Sequence, residues 1–341
     1  MNRLPSQNAF LTNPARIVYR SVRGVYRSAL AVRNRLLNRV DSPLVILVYH
    51  RVTEIADDPE MIAVSPGNFR QQMEFIKQRF PILRFEDQWS YLQEPAVVIT
   101  FDDGYADNVL QALPIIEEVG VPATFFVSTA HIGTDQVFWW HRLEAILLRE
   151  GEFPSHFELQ DFRFGRVWKT TSPEQRKRLY ASLCMLMRRL DPGRQEVWLN
   201  QLEHWNGPAV LPADLHRMMT QEELQKLAES PWTTIGAHTV SHSALSALTE
   251  AQQREEIFSS KTTLEKLTGK ETTTFSYPFG RKQEYNKTSL RLCREAGFTK
   301  VAANFPGQSH RWTDPLQIPR NLVRNWNRET FAKELEGFWI R

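Results

Sequence analysis

Val97-Val98-Ile99-Thr100-Phe101-Asp102-Asp103-Gly104-Tyr105 is an unbroken apolar run that ends in two adjacent carboxylates and a glycine. β-Branched residues in such a run read as a buried parallel strand, which puts both acids at its carboxyl end, where barrel and open-sheet enzymes assemble their chemistry. Two neighbouring ionised acids repel, and each costs several kcal/mol to take from water unless a cation or hydrogen bonds compensate. One of them is therefore expected to hold a metal. The competing reading makes Asp102 a helix cap and Asp103-Gly104 a turn.

The segment Ile235-Gly236-Ala237-His238-Thr239-Val240-Ser241-His242 favours the metal. Here a short strand, Thr233 to Ala237, runs into two histidines four residues apart. On one helical turn that spacing places both imidazoles on the same face, able to grip one ion. With Asp103 the pair makes a two-histidine, one-carboxylate site with open positions, the arrangement of catalytic metals.

Apolar stretches recur at 44 to 49, 96 to 101, 123 to 127, 233 to 237, 272 to 277, 299 to 303 and 318 to 323, mostly separated by amphipathic helical sequence. This alternation predicts an α/β fold of parallel β/α units, and about seven strands suggest a barrel lacking one unit. Thr220-Gln221-Glu222-Glu223 is a capping box opening a helix from Gln221 to Leu227, and Thr249 opens another carrying Ile257, Leu264 and Leu267 at helical spacing.

These motifs together resemble the polysaccharide deacetylases with a NodB homology domain, carbohydrate esterase family four. Thr100-Phe101-Asp102-Asp103-Gly104-Tyr105 matches the first motif, His238-Thr239-Val240-Ser241-His242 the histidine motif, and Phe275-Ser276-Tyr277-Pro278-Phe279-Gly280 the aromatic-proline motif. The entry strand closing in Tyr49-His50-Arg51-Val52 and the later Val121-Pro122-Ala123-Thr124-Phe125-Phe126-Val127 are similar too, so the likeness spans roughly residues 44 to 325. The resemblance implies a distorted (β/α)7 barrel in which Asp103, His238 and His242 ligate a divalent metal, most often zinc, with cobalt, nickel or manganese as substitutes. It also implies that Asp102 is the general base and that the Phe279 backbone N–H stabilises the oxyanion, with Tyr105 at the substrate side of the first motif.

Two departures from the family pattern matter. The arginine that often opens the third motif is replaced by Ser276, and Arg320, in Ile318-Pro319-Arg320-Asn321, is the candidate to supply the guanidinium from a neighbouring strand. The histidine of the family's last motif has no counterpart, since none follows His310. His310 and His50 are the candidates for the general acid.

Residues 138–219, between the third and fourth strands, form an interval too long for a plain connection and read as a mainly helical insertion within a barrel of residues 43–137 and 220–341. It opens with Phe138-Trp139-Trp140-His141; Trp139 and Trp140 are candidates to stack on sugar rings, or else to pack in a core.

Residues 1–42 form a basic amphipathic arm. Its first forty residues hold eight arginines and no acid, and without them the chain's +3 becomes −5, with 34 basic against 39 acidic residues. Apolar residues interleave with the arginines, as in a helix lying on an anionic membrane, and the acidic remainder argues against nucleic acid as a partner. No apolar stretch approaches the ~20 residues of a membrane span, no secretory signal core is visible, and Cys184 and Cys293 are too few for a disulfide framework. A cytoplasmic enzyme, peripheral to the inner membrane face, is the expectation.

The expected activity is removal of an N-acetyl or similar acyl group from a sugar in a polysaccharide or glycolipid precursor. An O-acetyl esterase with the same site, or a catalytically silent glycan-binding protein, is the alternative.

Overall fold

Every residue of β1 (Leu44–Tyr49) and β2 (Ala96–Phe101) is buried, so both faces of the sheet are covered, as expected of strands inside a parallel β/α fold. The computed structural model describes residues 31–90, 92–162, 164–212 and 215–340. After β1 and β2 come β3 (Ala123–Val127), β4 (Thr233–Ala237), β5 (Thr274–Ser276), β6 (Lys300–Ala302) and β7 (Asn321–Leu322). They pair in the order β6-β5-β4-β3-β2-β1-β7, all parallel. A parallel bridge between Ala302 and Ile318 draws the segment entering β7 back against β6, so the sheet curls into the distorted barrel. The additional short strand Ile82–Leu83 pairs with the start of β2.

Register decides which residues meet at the barrel mouth. β1 and β2 run in step from Leu44 beside Ala96 to Tyr49 beside Phe101, so His50 and Asp102 emerge side by side, and the Asp102 N–H donates to the Tyr49 carbonyl at 3.0 Å. Val127 lies beside Ala237, which places His238 at the same end, and Phe275 lies beside Ala237, which brings Ser276 there too.

The connecting helices begin where their chemistry directs. Thr220 and Glu223 form the capping box of Gln221–Glu229, and Thr249 with Gln252 forms that of Glu250–Thr268. Ile257 and Leu264 of the latter are fully buried in the barrel core, while Leu267 is partly buried against it.

The described residues of the 138–219 interval fold into three helices, Trp139–Leu147, Pro173–Met187 and Pro192–Asn206, plus a feature not read from the sequence: an antiparallel hairpin of His156–Asp161 with Phe164–Lys169. Phe157 and Leu159, alternating with exposed residues, turn inward to join Leu143, Leu183 and Leu199 in a core separate from that of the barrel. Most of the basic arm, residues 1–30, lies outside the described residues; residues 31–37 are helical. No helix among the described residues is long and apolar enough to cross a membrane.

Candidate active site

Asp102 and Asp103 leave β2 in opposite roles because the backbone turns between them. Asp103 has φ 81° and Gly104 φ 94°, left-handed values that glycine tolerates and aspartate adopts more readily than most residues. A Cβ on Gly104 would lie 2.8 Å from Val127 Cγ1, so this turn has no room for a larger residue.

Asp102 is held by Arg320. Nη1 donates to Oδ1 at 2.7 Å and Nη2 to Oδ2 at 2.6 Å, while Nε donates to the Ala303 carbonyl at 3.0 Å. Ser276 Oγ accepts from Arg320 Nη2 at 2.8 Å and donates to Asp102 Oδ2 at 3.3 Å. The guanidinium expected from a neighbouring strand is thus beside the carboxylate, and the serine in the usual arginine position links the two. Burial alone would raise the Asp102 pKa, but Arg320, with His238, outweighs it and the carboxyl sits below its ordinary value.

Asp103 faces the histidines. Its Oδ1 lies 3.2 Å from His242 Nε2 and 3.6 Å from His238 Nε2. That oxygen is buried and receives no hydrogen bond among the described residues, an orphaned acceptor between two imidazole nitrogens. His238 Nδ1–H donates to the Ser276 carbonyl at 2.7 Å, which assigns its proton and leaves Nε2 with a free lone pair. Burial would raise the Asp103 pKa, yet His242 and His238 hold it well below the ordinary value. A carboxylate oxygen and two imidazole nitrogens, buried and not hydrogen-bonded to one another, fit a divalent cation.

The histidines do not share a helical turn, contrary to the sequence expectation. They lie in an irregular loop in which Thr239 (φ 65°) and His242 (φ 57°) are left-handed, and this reversal brings the second imidazole round to the first. Glu256, on a helix read from sequence as scaffold only, pins the loop: its Oε2 accepts the N–H groups of Val240 and Ser241, both at 2.8 Å. Ser128 Oγ donates to the His238 carbonyl at 2.8 Å. Neither residue was singled out in the sequence, because nothing along the chain links them to the histidines.

Of the remaining candidates, His50 lines the cavity that opens on Asp102 and Asp103. Asn108 Nδ2 fixes its carbonyl at 2.8 Å, and its Nδ1 is buried with no hydrogen-bond partner among the described residues. Burial lowers its pKa, only partly opposed by Asp103 and Asp102. Phe279 lines the same cavity at φ 58°, and its N–H donates to no group among the described residues. Trp139 and Trp140 are nearly buried and yet form part of the wall; the Trp140 ring meets that of His242 at 5.0 Å.

Two expectations are corrected. His310 cannot reach the reacting centre: Ser309 bridges Leu44 at the start of β1, at the opposite end of the barrel, where His310 Nδ1 lies 3.3 Å from Asp41 and its ring stacks on Trp312. Tyr105 does not face the substrate. It is fully buried, its hydroxyl hydrogen-bonded to His141 Nε2 at 2.8 Å and accepting from Trp140 Nε1 at 3.3 Å. The first motif is thereby tied to the insertion.

His141, Glu144 and His216 also bring ligand-type atoms together. Arg51 Nη1, however, sits 3.0 Å from His216 Nδ1, and an arginine only donates, so that nitrogen is taken and the proton is directed to Nε2. This group reads as a buried hydrogen-bond network.

A curled parallel barrel with a carboxylate–arginine pair and a carboxylate–dihistidine cluster at its mouth defines the class. The family model described as polysaccharide deacetylase matches residues 90–183 and 198–301, more than half of the chain, and the chain belongs to that family. It is 22% identical over 218 residues to YxkH of Bacillus subtilis (strain 168), a protein named as a polysaccharide deacetylase by inference; the match covers 64% of this chain and 48% of that protein, so the chain spans about half the length of this curated relative. Among solved structures it is similar to BC0361, a polysaccharide deacetylase from Bacillus cereus (TM-score 0.55, 18% identity, 86% of this chain and 69% of that one). It is also similar to the deacetylase PplD of Streptococcus pyogenes in complex with acetate (TM-score 0.53, 16% identity, 86% and 98%). At these identities the structural likeness concerns the fold.

Proposed function

We propose that the protein is a metal-dependent hydrolase that removes an N-acetyl or similar acyl group from a sugar in a polysaccharide or glycolipid precursor. The observation that carries this reading is the placement of two adjacent carboxylates in separate environments, Asp102 clamped by Arg320 and Asp103 aimed between His238 and His242. Asp103, His238 and His242 would hold the ion. When bound, a divalent metal polarises the acyl carbonyl and lowers the pKa of water toward ~7.

The chain's own groups do the rest. Asp102, kept ionised by Arg320, retains a lone pair to accept the proton of the attacking water, since two carboxylate oxygens offer about four acceptor sites and three donors approach them here. The Phe279 N–H donates to the oxyanion. His50, beside Asp102 in the cavity lining, hands a proton to the departing amine. Trp139 and Trp140 wall the acyl group from solvent.

The test is acetate release from N-acetylated oligosaccharides with added zinc or cobalt. Release that disappears in Asp102→Asn while the metal stays bound supports the reading. Absence of release from both N- and O-acetylated substrates overturns it.

A further inference from the structure

The cavity carries more positive charge than this chemistry uses. Arg188, Arg281 and Arg324 line it, brought there by the end of an insertion helix, the turn after Phe279-Gly280, and the segment leaving β7. One spare acid accompanies them. Glu60 accepts from Arg188 Nη2 at 3.1 Å and from the Tyr180 hydroxyl at 3.1 Å, so it is committed to Arg188. Asp102 and Asp103 are taken by Arg320 and by the histidines. Arg281 and Arg324 have no carboxylate within ion-pair distance among the described residues.

Arg324 is not a loose surface side chain. It is partly buried, and its Nη1 donates to the carbonyls of Glu60, at 2.9 Å, and Met61. Carbonyls orient a guanidinium without neutralising it, and the carboxylates whose charge reaches the two arginines, Asp58 and Glu60 for Arg324 and Glu284 for Arg281, act from beyond ion-pair distance. Met61 presents its carbonyl from φ 52°; among the described residues, the other non-glycine positions with left-handed φ are Asp103, Thr239, His242 and Phe279, all in the catalytic motifs. Such a conformation is strained for a residue with a Cβ and persists only where the surroundings impose it. The strain thus aims a partly desolvated cation at the cavity, an arrangement that favours an incoming anion. Arg281, exposed and lining the same cavity, offers a second fork.

We propose that Arg281 and Arg324 clamp an anionic group, a phosphate or a carboxylate, that the substrate bears next to its acylated sugar, an inference that rests on the deacetylase reading. Planar guanidinium forks match either anion in bidentate fashion.

The test compares three compounds on the metal-loaded full chain: N-acetylglucosamine 1-phosphate, a disaccharide of N-acetylglucosamine and glucuronic acid, and neutral di-N-acetylchitobiose. At least one anionic compound is expected to exceed the neutral one about tenfold or more in kcat/KM, an advantage that shrinks with added salt. Which of the two leads identifies phosphate or carboxylate as the recognised group. Arg281→Gln and Arg324→Gln should lower kcat/KM for the favoured anionic compound about tenfold more than for the neutral one, with Arg281→Lys intermediate because it keeps charge without the fork. Equal kcat/KM for all three compounds, or equal losses on charged and neutral ones, overturns the clamp. If no compound releases acetate, the deacetylase reading fails and calorimetric titration of the same compounds decides the clamp separately. Tighter binding of an anionic compound that weakens in Arg281→Gln sustains it, and indistinguishable binding overturns it.

Discussion

Arg320 and Asp102 form a two-pronged ion pair, 2.7 and 2.6 Å, sealed inside the barrel mouth although 218 residues separate them in sequence. The pair sets the charge of Asp102. Without the guanidinium, burial dominates and raises the carboxyl pKa, so the acid limb of kcat/KM should move to higher pH.

Arg320→Met should therefore lose activity first at mildly acidic pH, and the uncompensated buried carboxylate should destabilise the fold by about 3–5 kcal/mol. Arg320→Lys keeps the charge and should shift the limb less. A pH–rate profile with urea unfolding of each variant reads both effects; an unmoved acid limb in Arg320→Met would contradict the assignment.

The unaltered chain should hold about one equivalent of a divalent ion, and Asp103→Ala, His238→Ala and His242→Ala should each abolish its retention, because each removes one of the three proposed ligands. Elemental analysis after dialysis measures it. Zinc at 100 times its dissociation constant should stabilise the unaltered protein by about 2.7 kcal/mol and the variants by much less.

His50→Gln should lower kcat roughly 10²–10⁴-fold, the usual worth of a general acid, while bound metal stays constant. Turnover close to that of the unaltered protein would leave the departing amine without an identified proton donor.

His216 should make the fold acid-sensitive. Burial, followed by Arg51, pushes its pKa down to about 4, whereas the unfolded chain titrates near 6.5. Between those values the unfolded state binds a proton that the native state refuses. Stability should hence be fully present above about pH 6.5 and fall as the pH drops toward 4, by on the order of 2 kcal/mol at pH 5. Chemical denaturation at pH 7.5 and 5 should show this difference shrinking in His216→Asn.

Gly280→Ala should disturb the cavity directly. At φ 63° a Cβ would lie 2.5 Å from the Asn304 backbone nitrogen, and Asn304 donates its N–H to the Gly280 carbonyl at 2.8 Å while lining the cavity. We expect a loss of more than about 1 kcal/mol in urea unfolding, together with weaker substrate binding measured as KM.

The sheet was largely readable because its strands are buried on both faces and appear as solid apolar runs; β1 to β4 keep the expected limits, while the last three are shorter at their ends. The three proposed ligands were readable as residue types at strand ends. What lay beyond reach was direction in space. Four-residue spacing suggested a helical turn for His238 and His242, but left-handed Thr239 and His242 produce the convergence instead, and no residue pattern announces a β-branched residue in that conformation. His50 and His310 look alike in sequence; only the pairing of Ser309 with Leu44 sends one to the far end of the barrel. Arg281 and Arg324 look like ordinary surface cations until the fold turns them toward one cavity.

The contact from the Tyr105 hydroxyl to His141 bears on how such proteins can be re-engineered. Because a motif residue is an integral part of the added lobe's interior, exchanging residues 138–219 between homologues should not behave as a modular graft. A working chimera must carry Tyr105 and Arg51, the partners of His141 and His216 in that lobe, across together with the new segment, or the transplanted lobe will rest on a foreign foundation.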